Sequence, residues 1–434
     1  MPRNLNLSTD PYKGVRDFYP ADMRLENRLL GTMRQVIELF GYEEYGASVL
    51  EPAELYRAKS GEELVSEQTY TFTDRGGREV TLRPEMTPTV ARMIAGKRKE
   101  LVFPIRWYSI PNLFRYEQPQ KGRLREHWQL NVDIFGVKSV QAEIEIISIA
   151  SAIMRKFGLK DTDFEIRINH RKILDYILRD VFMLEDIEVK AISRLIDKKE
   201  KVSADMFKKS AREIVGGRTD EFLTMLNTKH FDDFINIIGS GEKVKGPVAE
   251  VKTVIDKLEQ LGIANVVFSQ TVTRGFDYYT GIVFEIFDTN PENRRSIFGG
   301  GRYDDLLDIF GAEKLPAVGF GMGDVVVRDV LGSRNILPTD TPAAGLYICP
   351  ISEDYVDFAN ELGQSLREQG LASAIDYSGK KVGDQIKYAD KHNFKYVICI
   401  GEDEKKSGQF KLKELSSGKE TIVTGENILK LIRS

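Results

Sequence analysis

Four clusters of the chain hold side chains suited to polar chemistry: LRPEMTPTVARM (82–93), FRYEQPQKGRLREHWQLNVD (114–133), RGFDYYTG (274–281) and FGGGRYDD (298–305). Arg115 and Glu117 stand two apart in FRYE, and Arg274 precedes Gly275 in a turn-like setting. A guanidinium is a planar fork of donors that matches a carboxylate or phosphate through two parallel hydrogen bonds. Acids and phenols, here Asp133, Tyr278 and Tyr279, hold polar ligands by hydrogen bonding. Glycines 299 to 301 let backbone approach a ligand closely, with a plain glycine turn as an equal alternative. No cluster is a GxxxxGK[ST] loop or a GxGxxG opening a βαβ unit, so the familiar nucleotide folds are disfavoured.

Each cluster also has a plainer explanation. FRYE alone reads equally as a surface Arg/Glu pair on a strand. Tyr278 and Tyr279 suit a packed aromatic pair, Asp133 an edge or turn carboxylate, and Arg274 a solvated loop position. In NVDIFG, however, Asp133 sits between Val132 and Ile134, whose side chains point the other way on a strand. An acid facing a polar cavity is the better reading.

The elements that must position these residues follow from periodicity. Leu29, Leu30, Met33, Val36, Ile37 and Phe40 recur at helical spacing after Pro20, which predicts an amphipathic helix over 21–40. From 70 to 136 the runs YTFTD, EVTLRP, IRWYSIPNLFRYE and WQLNVDIFG predict antiparallel strands of one sheet. A helix (AEIEIISIASAIMRKFG) and a strand (FEIRIN) follow. Residues 170–262 read as a helical insertion, after which β texture resumes with NVVFSQT and YYTGIVFEIF. The stretch 333–343, SRNILPTDTPA, suits a linker. Strand and helix then alternate over 344–434, which predicts a small α/β domain with a mixed sheet. The predicted class is therefore α+β: an antiparallel-sheet domain over 1–332 with its helical insertion, plus a C-terminal α/β domain.

At 434 residues two or three domains are expected. Lys and Arg number 62 against 66 Asp and Glu, a net charge of -4, which lacks the basic excess of many DNA-binding domains. No DNA partner is expected, although a local basic patch can still meet RNA. Cys349 and Cys399 lie in apolar runs outside any CxxC or Cys/His spacing, and read as buried thiols of a reducing cytosol. His170, His230 and His392 lie on apparent helices without ligand spacing, read as surface or packing positions, and do not support zinc. No stretch approaches the 18 or so apolar residues of a membrane span, and no signal-peptide core stands near residue 1, so a cytoplasmic protein is expected.

Taken together and in this order, the clusters resemble class II aminoacyl-tRNA synthetases, specifically the histidine enzymes, over nearly the whole chain. RGFDYY is similar to the family's RG-hydrophobic-DYY segment, FGGGRYD to its second histidine-specific segment, and FRYE to the FRxE of motif 2. Residues 344–434 resemble the anticodon-binding domain of this class. The resemblance implies activation of histidine with ATP to histidyl-adenylate, with Mg2+ accompanying ATP, and transfer to tRNA(His). It implies that Arg115 and Arg274 are the catalytic cations at the α-phosphate and that Glu117 and His127 contact adenine. Glu85, Met86, Thr87 and Gln129 would surround the α-amino group, while Asp133 and Tyr278 read the imidazole and Tyr279 completes the wall. Gln118, Gln120, Lys121 and Arg123 would form the loop that meets the tRNA acceptor end, with Arg125 beside them as a further phosphate contact. The helix at 21–40 and GYEEYGASVLEP resemble motif 1, which implies a homodimer.

Physical reasons stand beside this resemblance. A carboxylate attacking the α-phosphate of ATP brings two anions together, so cations held in place beforehand can contribute about 3 to 4 kcal/mol. A buried site built for hydrogen bonds rejects an analogue that leaves its groups unpaired by about 10⁴ or more. Three positions depart from the family. His127 replaces a usual phenylalanine, Gln118 a common arginine, and Val326 the motif 3 arginine that clasps the γ-phosphate. Arg328 lies two residues later, turned by about 200° on a helix. A noncatalytic histidine-sensing paralogue, like the synthetase-shaped subunit that controls ATP phosphoribosyltransferase, is the alternative; such a sensor lacks the C-terminal module.

Overall fold

The computed structural model describes residues 7–57, 68–199, 202–228, 230–239, 241–273, 278–293, 296–338 and 345–433. Two compact units are present, one made of residues 1–19 and 26–338 and the other of 20–25 and 339–434. No helix among the described residues is long and apolar enough to cross a membrane.

In the first unit, nine described strands form the large sheet: β1 (Glu43–Glu44), β5 (Ile105–Ser109), β6 (Asn112–Phe114), β7 (Glu126–Phe135), β8 (Phe164–His170), β9 (Val266–Phe268), β10 (Ile282–Asp288), β11 (Ser296–Arg302) and β12 (Ala317–Gly323). Their order is β1-β5-β7-β12-β11-β10-β8-β9, with β6 beside β7. All pairings from β5 to β8 are antiparallel, whereas β1 and β9 join the two edges in parallel. The expectation of one sheet over 70–136 is corrected. β3 (Tyr70–Thr73) and β4 (Glu79–Leu82) leave the large sheet and form a three-stranded one with β2 (Leu50–Pro52). Alternation specifies which faces are apolar but not which partner a strand will take.

One face of the large sheet packs on the helix Gln141–Lys156, which buries Ile146, Ile147, Ile149, Ala150 and Ile153. Leu130, Val132 and Ile134 of β7 are fully or almost fully buried, as alternation along the strand requires for the face opposite Asp133. Pro20 opens the helix Pro20–Leu39, which buries Leu29, Met33, Val36 and Ile37 and leaves Leu39 exposed. Between β8 and β9 the described residues are mostly helical, with helices at Asp186–Asp197, Ala204–Val215, Thr219–Asn227, Phe231–Ile238 and Glu242–Gln260, and Ile192, Phe207, Phe222 and Phe234 are buried.

His170 is not on a helix as read from the sequence. It ends β8, is buried, and its ring accepts the Lys172 backbone N–H as a helix cap. His230 and His392 flank helices at Phe231–Ile238 and Val382–Lys391.

The second unit carries β13 (Leu346–Pro350), β14 (Ser373–Ile375), β15 (Tyr396–Ile400), β16 (Gln409–Glu414) and β17 (Glu420–Thr424) in the order β14-β13-β15-β16-β17. The first three are parallel and the last two antiparallel additions, so the sheet is mixed. Helices Val356–Glu368 and Val382–Lys391 supply the crossovers that parallel strands need.

Candidate active site

The sequence EHWQLNVDIF alternates, and β7 uses that alternation to lay His127, Gln129, Asn131 and Asp133 in a row on one face. All four line a cavity of about 340 Å³. Opposite them on β12 stand Gly323, Gly321 and Gly319, in register with Gln129, Asn131 and Asp133. Gly299 and Gly301 of β11 continue the same rows.

On this floor a Cβ at Gly319 would lie 2.0 Å from Asp133 Oδ1 and one at Gly321 3.0 Å from Gln129 Cδ, whereas at Gly323 it would sit 3.8 Å from His127 Cδ2, in ordinary contact. Glycines 299 to 301 are therefore neither a turn nor a loop but strand positions that lower the sheet surface. A Cβ at Gly300 would meet the Gly319 carbonyl at 1.9 Å.

Tyr303 hydroxyl donates to Asp133 Oδ1, and both groups are buried. Burial raises the Asp133 carboxyl to about 7, against the pull of that hydrogen bond. Burial and the Asp133 charge in turn push the Tyr303 phenol well above its usual range. Tyr278 packs against Tyr279 at 4.8 Å and Tyr303 at 5.8 Å between ring centroids, and its hydroxyl donates to Glu85 Oε2 at 3.4 Å. Sequence alone does not mark Tyr303, in FGGGRYDD, as a partner of Asp133; its neighbour Arg302 faces the other way and grips Glu143 at 2.6 and 2.7 Å, which anchors the end of β11.

At the other end of the row, Arg115 Nε donates to Pro84 O at 2.9 Å, and the side chain lines the cavity with Glu117 and Arg123. Arg123 lies 3.6 Å from Glu117. Burial first, then the charges of Arg115 and Arg16, push His127 down to about 3, so its ring is neutral. A neutral imidazole offers a flat face for stacking.

The cavity thus brings together Glu85, Thr87, Arg115, Glu117, Arg123, His127, Gln129, Asp133, Tyr278 and Tyr279. Asn131 and Glu285 join them unanticipated, although the period of two from Asp133 points at Asn131. Met86 is buried and is not part of the wall, and neither are Gln118, Gln120 and Lys121. Arg274 lies outside the described residues.

Arg125 does not line the cavity: its Nε donates to Glu117 O, and its Nη1 to the Tyr12 hydroxyl and Lys13 O. Val325 and Val326 line the cavity and Arg328 does not. Beside them Asp324 opens the helix Asp324–Ser333, fully buried, and accepts the Trp128 N–H at 2.9 Å and Arg16 Nη2 at 2.5 Å.

The family model described as histidyl-tRNA synthetase matches residues 14–324, and the anticodon binding domain model matches 346–434. The chain is 42% identical to the histidine--tRNA ligase of Leptospira biflexa, over 95% of this chain and 94% of that one. It is 38% identical to the histidine--tRNA ligase of Haloarcula marismortui, over 95% of each. The crystal structure of histidyl-tRNA synthetase from Nostoc sp. PCC 7120 superposes with a TM-score of 0.84 at 25% identity, covering 98% of this chain and 99% of that one. With the family model spanning the unit that holds the cavity, and relatives aligned along nearly the full length, the chain belongs to the histidyl-tRNA synthetase family.

Proposed function

We propose that the row on β7 lays out the two halves of one reaction, histidine over Asp133 and ATP over His127. The protein is an aminoacyl-tRNA ligase that makes histidyl-adenylate and passes the histidyl group to tRNA. Six residues of strand separate Asp133 from His127, about 20 Å at the usual rise. Gln129 lies between them, in reach of the α-amino group. This ordering of a buried acid, an amide and a neutral ring along one strand is the observation that carries the reading.

Histidine enters with its imidazole toward Asp133 and Tyr278, while Glu85, Thr87 and Gln129 hold its ammonium group and Tyr279 closes the wall. Its carboxylate oxygen attacks the α-phosphorus of ATP, the bond to the bridging oxygen breaks, and diphosphate leaves. Arg115 and Arg274 neutralise the two anions as they meet, where preorganised cations act most strongly. Glu117 accepts from the adenine amino group and His127 stacks on the ring. Arg123, at the cavity wall, adds a cation for the phosphates in a site whose motif 3 position is Val326. Magnesium arrives on ATP as part of the substrate; among the described residues no group of three His, Cys, Asp or Glu is placed to hold a metal ion.

In the second step a terminal hydroxyl of tRNA(His) attacks the adenylate carbonyl and AMP departs. The loop of Gln118, Gln120, Lys121 and Arg123 faces the acceptor end, and the second unit takes the anticodon. The helical insertion over 170–262, the linker over 333–343 and domains over 1–332 and 344–434 go with this division of labour. A homodimer built on the motif 1 region accords with the exposure of Leu39 and Leu50; a monomer in sedimentation at micromolar concentration would count against it. A cytoplasmic setting fits two cysteines present as thiols.

Histidine-dependent exchange of diphosphate into ATP tests the first step. The wild-type protein should exchange, and Arg274→Ala should lose about 10² or more in rate. Exchange that ignores histidine, or that survives the substitution intact, would overturn the assignment.

A further inference from the structure

Arg125 closes the loop that begins after Glu117, and it is held from several directions. Its backbone N–H donates to Gly14 O at 2.7 Å. Nη1 donates to the Tyr12 hydroxyl at 2.9 Å and to Lys13 O at 3.4 Å, and Nε donates to Glu117 O at 3.1 Å. The guanidinium carbon lies 4.1 Å from the Tyr116 ring centroid and 5.4 Å from that of Tyr12. Tyr116 in turn meets Tyr70 edge-on at 5.4 Å. Gly14 adopts φ +88, and a Cβ there would lie 2.8 Å from both Arg125 Cγ and Pro119 Cγ. Only glycine takes this backbone at this distance without strain.

The clasp bears on the nucleotide end of the cavity. Glu117, whose carbonyl Arg125 holds, lines the cavity, and so does Arg123 on the same loop. Arg115 N–H donates to Arg125 O at 2.9 Å, so the arginine nearest the reacting phosphate hangs from the same residue. Gln120 and Arg123 exchange backbone hydrogen bonds, which makes the loop a short stiff hairpin moved as a piece by its base. The groups facing histidine have other partners: Tyr303 donates to Asp133, and Tyr278 donates to Glu85.

We propose that Arg125 is a positioning residue. By fastening the segment Tyr12–Gly14 to the loop, it sets where Glu117 and Arg123 stand against ATP. The inference rests on assigning that end of the cavity to ATP. An arginine whose Nε and Nη1 donate to two backbone carbonyls and a phenol is fixed in direction, and a loop anchored by it needs no ordering when the nucleotide binds.

Steady-state diphosphate exchange with Arg125→Ala and Tyr12→Phe tests it, each KM being measured with the other substrate saturating. For Arg125→Ala the KM for ATP should rise about tenfold, the size of one charge-assisted hydrogen bond, with the KM for histidine within about twofold of wild type. Tyr12→Phe keeps the ring and the fold, loses the acceptor, and should raise the ATP KM about threefold. Trypsin should cut after Lys121 or Arg123 faster in Arg125→Ala than in wild type, well below the unfolding temperature. An unchanged ATP KM in Tyr12→Phe and in folded Arg125→Ala overturns the proposal. So does an equal rise in both KM values, which would mean a general loss of the cavity. Histidine-dependent exchange with an ATP KM unchanged in His127→Ala and Glu117→Gln would instead sink the assignment of that end, and the proposal with it.

Discussion

Asp133 stands directly across the β7–β12 ladder from Gly319, with no room between them for one methyl group. The carboxylate keeps its place because the neighbouring strand offers only backbone there. A Cβ on Gly319 would also come within 2.6 Å of Val132 O, so neither strand can yield without breaking the ladder.

Gly319→Ala should therefore displace the acid and not the nucleotide groups. The KM for histidine in diphosphate exchange is expected to rise about a hundredfold, as misplacement of about 1 Å in a binding site can cost, with the KM for ATP little altered. A histidine KM equal to wild type in the folded variant would refute the role given to the glycine floor.

The Asp133 carboxyl, raised to about 7 chiefly by burial, is protonated in the empty cavity below that pH. Accepting an N–H from imidazole needs the ionised form, so the histidine KM should climb by about tenfold per pH unit as pH falls below 7. The free amino acid's own titration is removed by comparison with Asp133→Asn, whose KM should be high and lack that added slope. Parallel pH profiles for the two proteins would count against ionised Asp133 as the acceptor.

His127 has the opposite sign. Its folded value of about 3 lies below the usual 6.5, because burial and the charges of Arg115 and Arg16 oppose the imidazolium. Between these values the unfolded chain binds the extra proton, so stability is present above pH 6.5 and is lost as pH falls toward 3. His127→Phe has no such proton to bind. Wild type should lose on the order of a few degrees more in Tm than the variant between pH 7 and 5, measured by calorimetry without ligand. Identical losses would show that His127 is not held neutral by the fold. Asp133 works against His127 in this window: its raised value makes it a source of stability at low pH that fades as pH rises toward 7. The comparison must therefore be made at constant Asp133.

Much of this was legible in local order. Period two in NVDIFG placed Asp133 on a face of its own, and the same period reaches Gln129 and His127 on that strand. The helical texture of 170–262 and the alternation after 344 were likewise readable from spacing. Long-range partners were not. Nothing in YTFTD or EVTLRP says that they pair with LEP rather than with IRWYS, since all of these runs have compatible faces. Arg125 looks like its neighbours Lys121 and Arg123 in sequence, yet its guanidinium turns to Tyr12, more than a hundred residues away. Met86 sits between two cavity residues but faces the core.

The sequence by itself determined the chemical inventory and the family, because residue types and their order survive without any geometry. Tertiary structure alone decided which of these groups share a cavity, which cations are spent on the protein's own carbonyls, and how far Asp133 is removed from water. Those outcomes depend on distances between segments remote in the chain, and on the burial such contacts create. Local periodicity carries no record of either.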